Sequence, residues 1–139
     1  MAPMNMEKQK IHFYIDVVGT CNLRCPSCPV GNSAEIENKR GVMSPSTLDR
    51  VLEKATSECA VSSVGLFNWT EPLLHPRLDE MVRIVNKHEL PCAVSTNLNI
   101  NKPERYRRLL EANPDVLRIS LRGLARKNTG YYAHGWLNR

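Results

Sequence analysis

The chain has 139 residues, a formal net charge of +5 and a pI of about 9.1. That length allows one domain with a real core, and 42% hydrophobic with 24% charged residues is ordinary for a soluble protein. No apolar run approaches the ~20 residues of a membrane span, the opening MAPMNMEKQK lacks a signal peptide's apolar stretch, and the basic residues are too scattered to mark a nucleic-acid surface. A cytoplasmic protein is expected, with neither membrane nor nucleic acid as partner. In that reducing setting a tight cysteine cluster reads as metal-binding or catalytic rather than bridged.

Residues 11–18, IHFYIDVV, are β-branched and aromatic and predict a strand. A loop follows with Cys21, Cys25 and Cys28 in CNLRCPSCP, continuing to Gly41. Ser44 as N-cap and Pro45 at the first helical position open a helix. Leu48, Val51, Leu52 and Ala55 lie along one of its faces. Residues 61–67, VSSVGLF, predict a second strand, followed by the loop NWTEPLLHP. Leu78, Met81, Val82 and Val85 give a second helix its apolar face. CAVST at 92–96 predicts a third strand. Asn101 with Glu104 resembles a capping box for a third helix, whose buried face would be Tyr106, Leu109 and Leu110. Asn113-Pro114 closes it, and residues 116–121 predict a fourth strand.

Strands alternating with helices imply a parallel sheet with right-handed crossovers, an α/β fold. In such sheets chemistry gathers at the carboxyl ends of the strands. The notable polar residues fall there: the three cysteines after strand one, Glu71 after strand two, Ser95 and Asn97 after strand three, Ser120 and Arg122 after strand four. The core is expected over residues 11–124, between a tail at 1–10 and an irregular tail at 125–139. Cys59 and Cys92 are expected to be buried, inert thiols. Trp69 reads as core packing and His75 as structural.

Three thiolates suit zinc, copper(I) or an iron-sulfur cluster. Zinc would need a fourth ligand, for which His12 and His75 are candidates, although structural zinc motifs more often show two separated cysteine pairs. A four-iron, four-sulfur (4Fe-4S) cluster on three thiolates would keep one iron for an exogenous ligand. A non-catalytic metal-binding module, either a degenerate cluster carrier or a zinc site, stands as the alternative.

The CxxxCxxC loop directly after a first strand resembles the signature of the radical S-adenosylmethionine (radical SAM) superfamily. The string CNLRCPSCPVGN with RGVMS at 40–44 is similar to members with a SPASM-type extension and to molybdenum-cofactor-type enzymes, and FNWTEPLLHP is similar to their second-strand motif. The resemblance implies about four βα units, the N-terminal portion of a partial parallel (β/α)6 TIM-like barrel. It implies a 4Fe-4S cluster on Cys21, Cys25 and Cys28. S-adenosylmethionine would bind the free iron and be cleaved reductively to a 5′-deoxyadenosyl radical, which abstracts hydrogen from a substrate. Glu71 would stand in the loop receiving the methionyl amine, Ser95 and Asn97 would face the ribose, Ser120 the ribose or carboxylate, and Arg122 the carboxylate. An electron donor such as a flavodoxin or ferredoxin is implied as partner. No residue of the chain is singled out as catalytic, and the sequence does not name the substrate.

This sequence departs from the pattern in three places. Ser27 stands where an aromatic residue is common. Thr70 stands where a glycine is usual, and its β-branch restricts close approach of the backbone to a ligand. The strands number four, with no SPASM-type extension, so the chain is expected to be a gene fragment, a product of a reading frame shifted past Leu124, or one half of a two-chain protein, the irregular tail favouring the first two.

Overall fold

The computed structural model describes residues 10–30 and 41–120. They form a parallel sheet in the order β1 (Lys10–Tyr14), β2 (Ala60–Gly65), β3 (Cys92–Thr96) and β4 (Val116–Ile119). Between the strands run the helices α1 (Pro45–Glu58), α2 (Leu78–Lys87) and α3 (Pro103–Glu111). Sequential strands are neighbours throughout, as expected of repeated βα units.

β3 spans the predicted residues 92–96, while β1 and β2 lose their predicted carboxyl ends, stopping at Tyr14 and Gly65. β4 ends at Ile119, and the last residue of its predicted span, Leu121, lies outside the described residues. Residues 15–18 and 66–67 are thereby left to build loops. Beyond β1 the chain turns out of the sheet and makes a separate antiparallel contact. Val18 bridges Val42, the Gly19 N–H donates to the Gly41 carbonyl at 2.7 Å, and the Met43 N–H donates to the Val17 carbonyl at 2.9 Å. This clasp ties the two ends of the cysteine segment together at its base.

Helix α1 starts as predicted. Ser44 Oγ accepts the Thr47 N–H at 3.1 Å and Pro45 follows. Helix α3 does not start as predicted. Its N-cap is Lys102 without a side-chain cap, and Pro103 sets the first turn in place of an Asn101 capping box. Helix α2 ends on Glu89 at φ 56°, a left-handed position that favours glycine.

The core lies on one face of the sheet. Leu48 and Leu52 of α1, Met81, Val82 and Val85 of α2, and Leu109 of α3 pack on Val64, Leu66 and Val94. The predicted helical faces are narrower in fact: Val51 is 39% and Leu110 61% exposed, while Ala112 beyond α3 is buried. The opposite face carries Tyr14, in edge-to-face contact with Phe67, and Arg118 over the Phe67 ring. Gly65 makes that face possible, since a Cβ there would meet the Tyr14 ring at 2.8 Å. Arg122 and the predicted tail at 125–139 lie outside the described residues. Among the described residues no helix is long and apolar enough to cross a membrane.

Candidate functional site

The loops beyond β1, β2, β3 and β4 meet around a cavity of about 180 Å³. Cys21, Cys25 and Cys28 line it together with Glu71, Ser95, Asn97 and Ser120. All the predicted site residues within the described chain are therefore brought to one place. Trp69, expected in the core, is 51% exposed and lines the same cavity, because the backbone beside it is held from behind.

Cys21 is half-buried, and burial pushes its thiol pKa up. The Leu23 backbone works against that, and the charges of Glu71, Cys25 and Cys28 add to it. Such a thiol is a poor free nucleophile, but a bound metal removes its proton. Cys28 N–H donates to the Cys25 carbonyl at 2.9 Å, which closes the turn between those two cysteines. The remaining cysteines stand apart. Cys92 is buried, and desolvation followed by the Asp115 charge pushes its pKa up to about 12. Cys59, expected buried, is half-buried and donates to the Ala55 carbonyl at 3.1 Å.

Neither histidine considered as a fourth zinc ligand lines the cavity. His12 contacts Ser63 Oγ at 2.7 Å from within the sheet. His75 is buried and fully used: its Nδ1 accepts the Arg77 N–H at 3.0 Å, so Nε2 carries the proton and donates to the Met43 carbonyl at 2.8 Å. Among the described residues no three His, Cys, Asp or Glu side chains stand together as ligands of a single metal ion.

Glu71 is buried between two loops. One carboxylate oxygen accepts the Leu73 N–H at 3.0 Å and the Thr96 hydroxyl at 2.7 Å, and the other accepts the Asn97 N–H at 2.8 Å. Burial pushes its pKa up while these three bonds pull it down. A carboxylate has about four lone-pair positions, so room for one further donor is left. The Leu73 bond also caps a single 3-10 turn, Pro72–Leu74. Arg105 of α3 donates to the Leu73 carbonyl at 2.7 Å and fixes the same turn from the helix side.

Asn97 carries the connection on to the cysteine loop. Its Nδ2 donates to Asn22 Oδ1 at 2.9 Å and lies 3.8 Å from Cys21 Sγ, while its Oδ1 accepts the Asn99 N–H at 2.8 Å. Asn22 in turn donates to the Asn99 carbonyl at 2.6 Å. Between them Leu98 sits at φ 56°, strained for a leucine. Ser120 is held by its backbone N–H on the Thr96 carbonyl at 2.8 Å.

Asp16, Asn22 and Thr96 were not among the residues singled out from the sequence. Asp16 is the only charge inside the run IHFYIDVV, and that was the available signal. Its carboxylate receives the loop after β2: the N–H groups of Asn68, Trp69 and Thr70 and the Thr70 hydroxyl all donate to it. Thr70, read as an obstacle to a ligand, is here a donor to Asp16.

The sequence profile of the radical SAM superfamily matches residues 15–136. A tungsten-containing aldehyde ferredoxin oxidoreductase cofactor-modifying protein from Pyrococcus furiosus is 27% identical over 110 residues, 79% of this chain and 30% of that protein. Among solved structures, BtrN in complex with AdoMet and 2-DOIA superimposes with a TM-score of 0.70 at 22% identity, over 88% of this chain and 50% of BtrN. SuiB from Streptococcus suis bound to S-adenosylmethionine gives 0.64 at 18% identity, over 84% of this chain and 26% of SuiB. The chain spans half or less of the length of these relatives.

Proposed function

The chain belongs to the radical SAM superfamily, and on that premise we propose that it holds a 4Fe-4S cluster on Cys21, Cys25 and Cys28 and binds S-adenosylmethionine beside it. Together the cluster and cosubstrate supply one-electron chemistry that yields a 5′-deoxyadenosyl radical for hydrogen abstraction. The observation carrying this reading is that the CxxxCxxC loop and the loops after the next three strands line one cavity.

Each residue has work suited to its chemistry. The three cysteines are the cluster ligands. Glu71, with one acceptor position left, takes part in receiving the methionyl amine. Ser95 and Ser120 face the cavity as hydroxyl donors and acceptors toward the ribose or carboxylate. Asn97 holds the Cys21 loop in place and lines the ribose side. Arg122 is assigned to the carboxylate by its sequence position, as a guanidinium would pair well there. An acidic electron donor such as a flavodoxin or ferredoxin suits the +5 chain. The substrate belongs to the whole protein and is left open.

Anaerobic reconstitution tests the proposal. The expected product is a brown protein with about four irons per chain, whose reduced EPR signal changes on adding S-adenosylmethionine. Cys21→Ala, Cys25→Ala and Cys28→Ala should each abolish stable uptake, while Cys59→Ala and Cys92→Ala should not. Stoichiometric zinc without iron uptake would refute the proposal. Cluster uptake with an unchanged signal and no 5′-deoxyadenosine would reduce the protein to a carrier.

A further inference from the structure

Asp16 stands behind the loop that follows β2. Its Oδ1 accepts the N–H groups of Asn68 at 2.9 Å and Thr70 at 3.1 Å and the Thr70 hydroxyl at 2.7 Å. The Trp69 N–H is shared between Oδ1 at 3.1 Å and Oδ2 at 3.2 Å. Hydrogen bonds to an ionised acceptor are roughly twice as strong as neutral ones, so four donors from three consecutive residues fix this backbone firmly.

The direction of that backbone follows. A peptide unit is planar and trans, so each N–H points opposite to the carbonyl of the residue before it, and the described backbone has no cis bond. With the N–H groups of Asn68, Trp69 and Thr70 drawn onto Asp16, the carbonyls of Phe67, Asn68 and Trp69 turn away from it. Those three residues line the cavity and Asp16 does not. Neutral acceptors are thereby aimed into the cavity beside the Glu71 carboxylate. An ammonium group, with three donors and no acceptor, is the ligand such a cradle suits.

We infer that Asp16 is the positioning residue that sets the loop of residues 67–70 as an acceptor cradle for the amino group of S-adenosylmethionine, with the Thr70 hydroxyl as its latch. This rests on the cosubstrate binding proposed above. It also accounts for a threonine where a glycine is usual in the motif: the hydroxyl anchors the loop on the side away from the ligand.

The test uses the full chain, reconstituted anaerobically, with Asp16→Asn, Thr70→Val and Thr70→Ser. Affinity is read by titrating S-adenosylmethionine against the EPR signal of the reduced cluster. Iron content and the signal without S-adenosylmethionine should match the parent protein in all three variants. The apparent Kd should rise about 10-fold or more in Asp16→Asn and by a smaller factor in Thr70→Val, and Thr70→Ser should restore it. Parental affinity in both Asp16→Asn and Thr70→Val overturns the inference. If Asp16→Asn fails to fold, Thr70→Val against Thr70→Ser decides it. If the parent protein itself shows no response to S-adenosylmethionine, the binding proposal has failed, and amide hydrogen exchange then judges Asp16 separately. Protection at residues 68–70 should fall in Asp16→Asn or Thr70→Val, and unchanged protection in both refutes the positioning role.

Discussion

A glutamate that accepts three donors from two loops tolerates little change. In Glu71→Gln one oxygen becomes an NH₂ that cannot accept, so it faces either the Asn97 N–H or the Leu73 and Thr96 donors. A buried polar group left unpaired costs about 1–3 kcal/mol, and urea unfolding should show a loss of that size. Thr96→Val removes only the hydroxyl donated to Glu71 and accepted from the Leu98 N–H, so it should cost about 1 kcal/mol. The contrast between Cys21 and Cys92 is also set at this scale. Both thiols are desolvated, but Cys21 opens on the cavity, while Cys92 is sealed in the core against Asp115. Alkylation of the metal-free protein should therefore reach Cys92 only after unfolding, as mass spectrometry of the labelled chain would show.

Among the elements, α1 and α2 are joined at their surface by Asp49, which meets His88 Nε2 at 2.7 Å and Lys87 Nζ at 3.1 Å. The His88 hydrogen bond first, and Lys87 after it, hold the Asp49 carboxyl below the ordinary carboxylate range. The native state then binds this proton less readily than the unfolded state. Its stabilisation is present above the unfolded value of about 3.9 and is lost as pH falls through the lowered native value. Acid unfolding of Asp49→Asn should lack that part of the slope, and the difference should be small because the group is exposed. Glu89→Gly should raise stability by about 0.5–1 kcal/mol in thermal unfolding, since glycine takes φ 56° without a Cβ clash. The order of strands and helices was legible because the helices carry apolar positions at helical spacing, clearest in α2, and each strand a β-branched run. Helix α3's start was misread: Pro103 fixes the first turn whatever Asn101 and Glu104 offer. The end of the first strand was misread because the apolar run continues through IDVV, while the turn there is dictated by a carboxylate's partners some fifty residues away; the third strand, 92–96, was legible to the residue. Asn22 and Thr96 stayed hidden for the same reason. Their partners are set by the folded sheet, and no local pattern announces them.

For the molecule as a whole, the helix-covered face of the sheet and the carboxyl ends of its strands divide the labour. One face is filled by the helices and supplies stability; Leu48 and Leu52 are fully buried there, and truncating either to alanine should cost about 2–5 kcal/mol. The carboxyl ends of the strands supply the site, through loops cross-tied by Asp16, Glu71 and Asn97. The clasp of Val17, Val18 and Gly19 on Gly41, Val42 and Met43 gives this division a modular character. The chain departs from the sheet and returns to the same point, so the cysteine segment is a cassette hung from a closed stem. Replacing residues 20–40 with Asn-Gly, a two-residue hairpin turn, should leave a sheet that still unfolds cooperatively and takes up no iron. The scaffold and its cysteine-bearing insert would then be separable, one able to change while the other is kept.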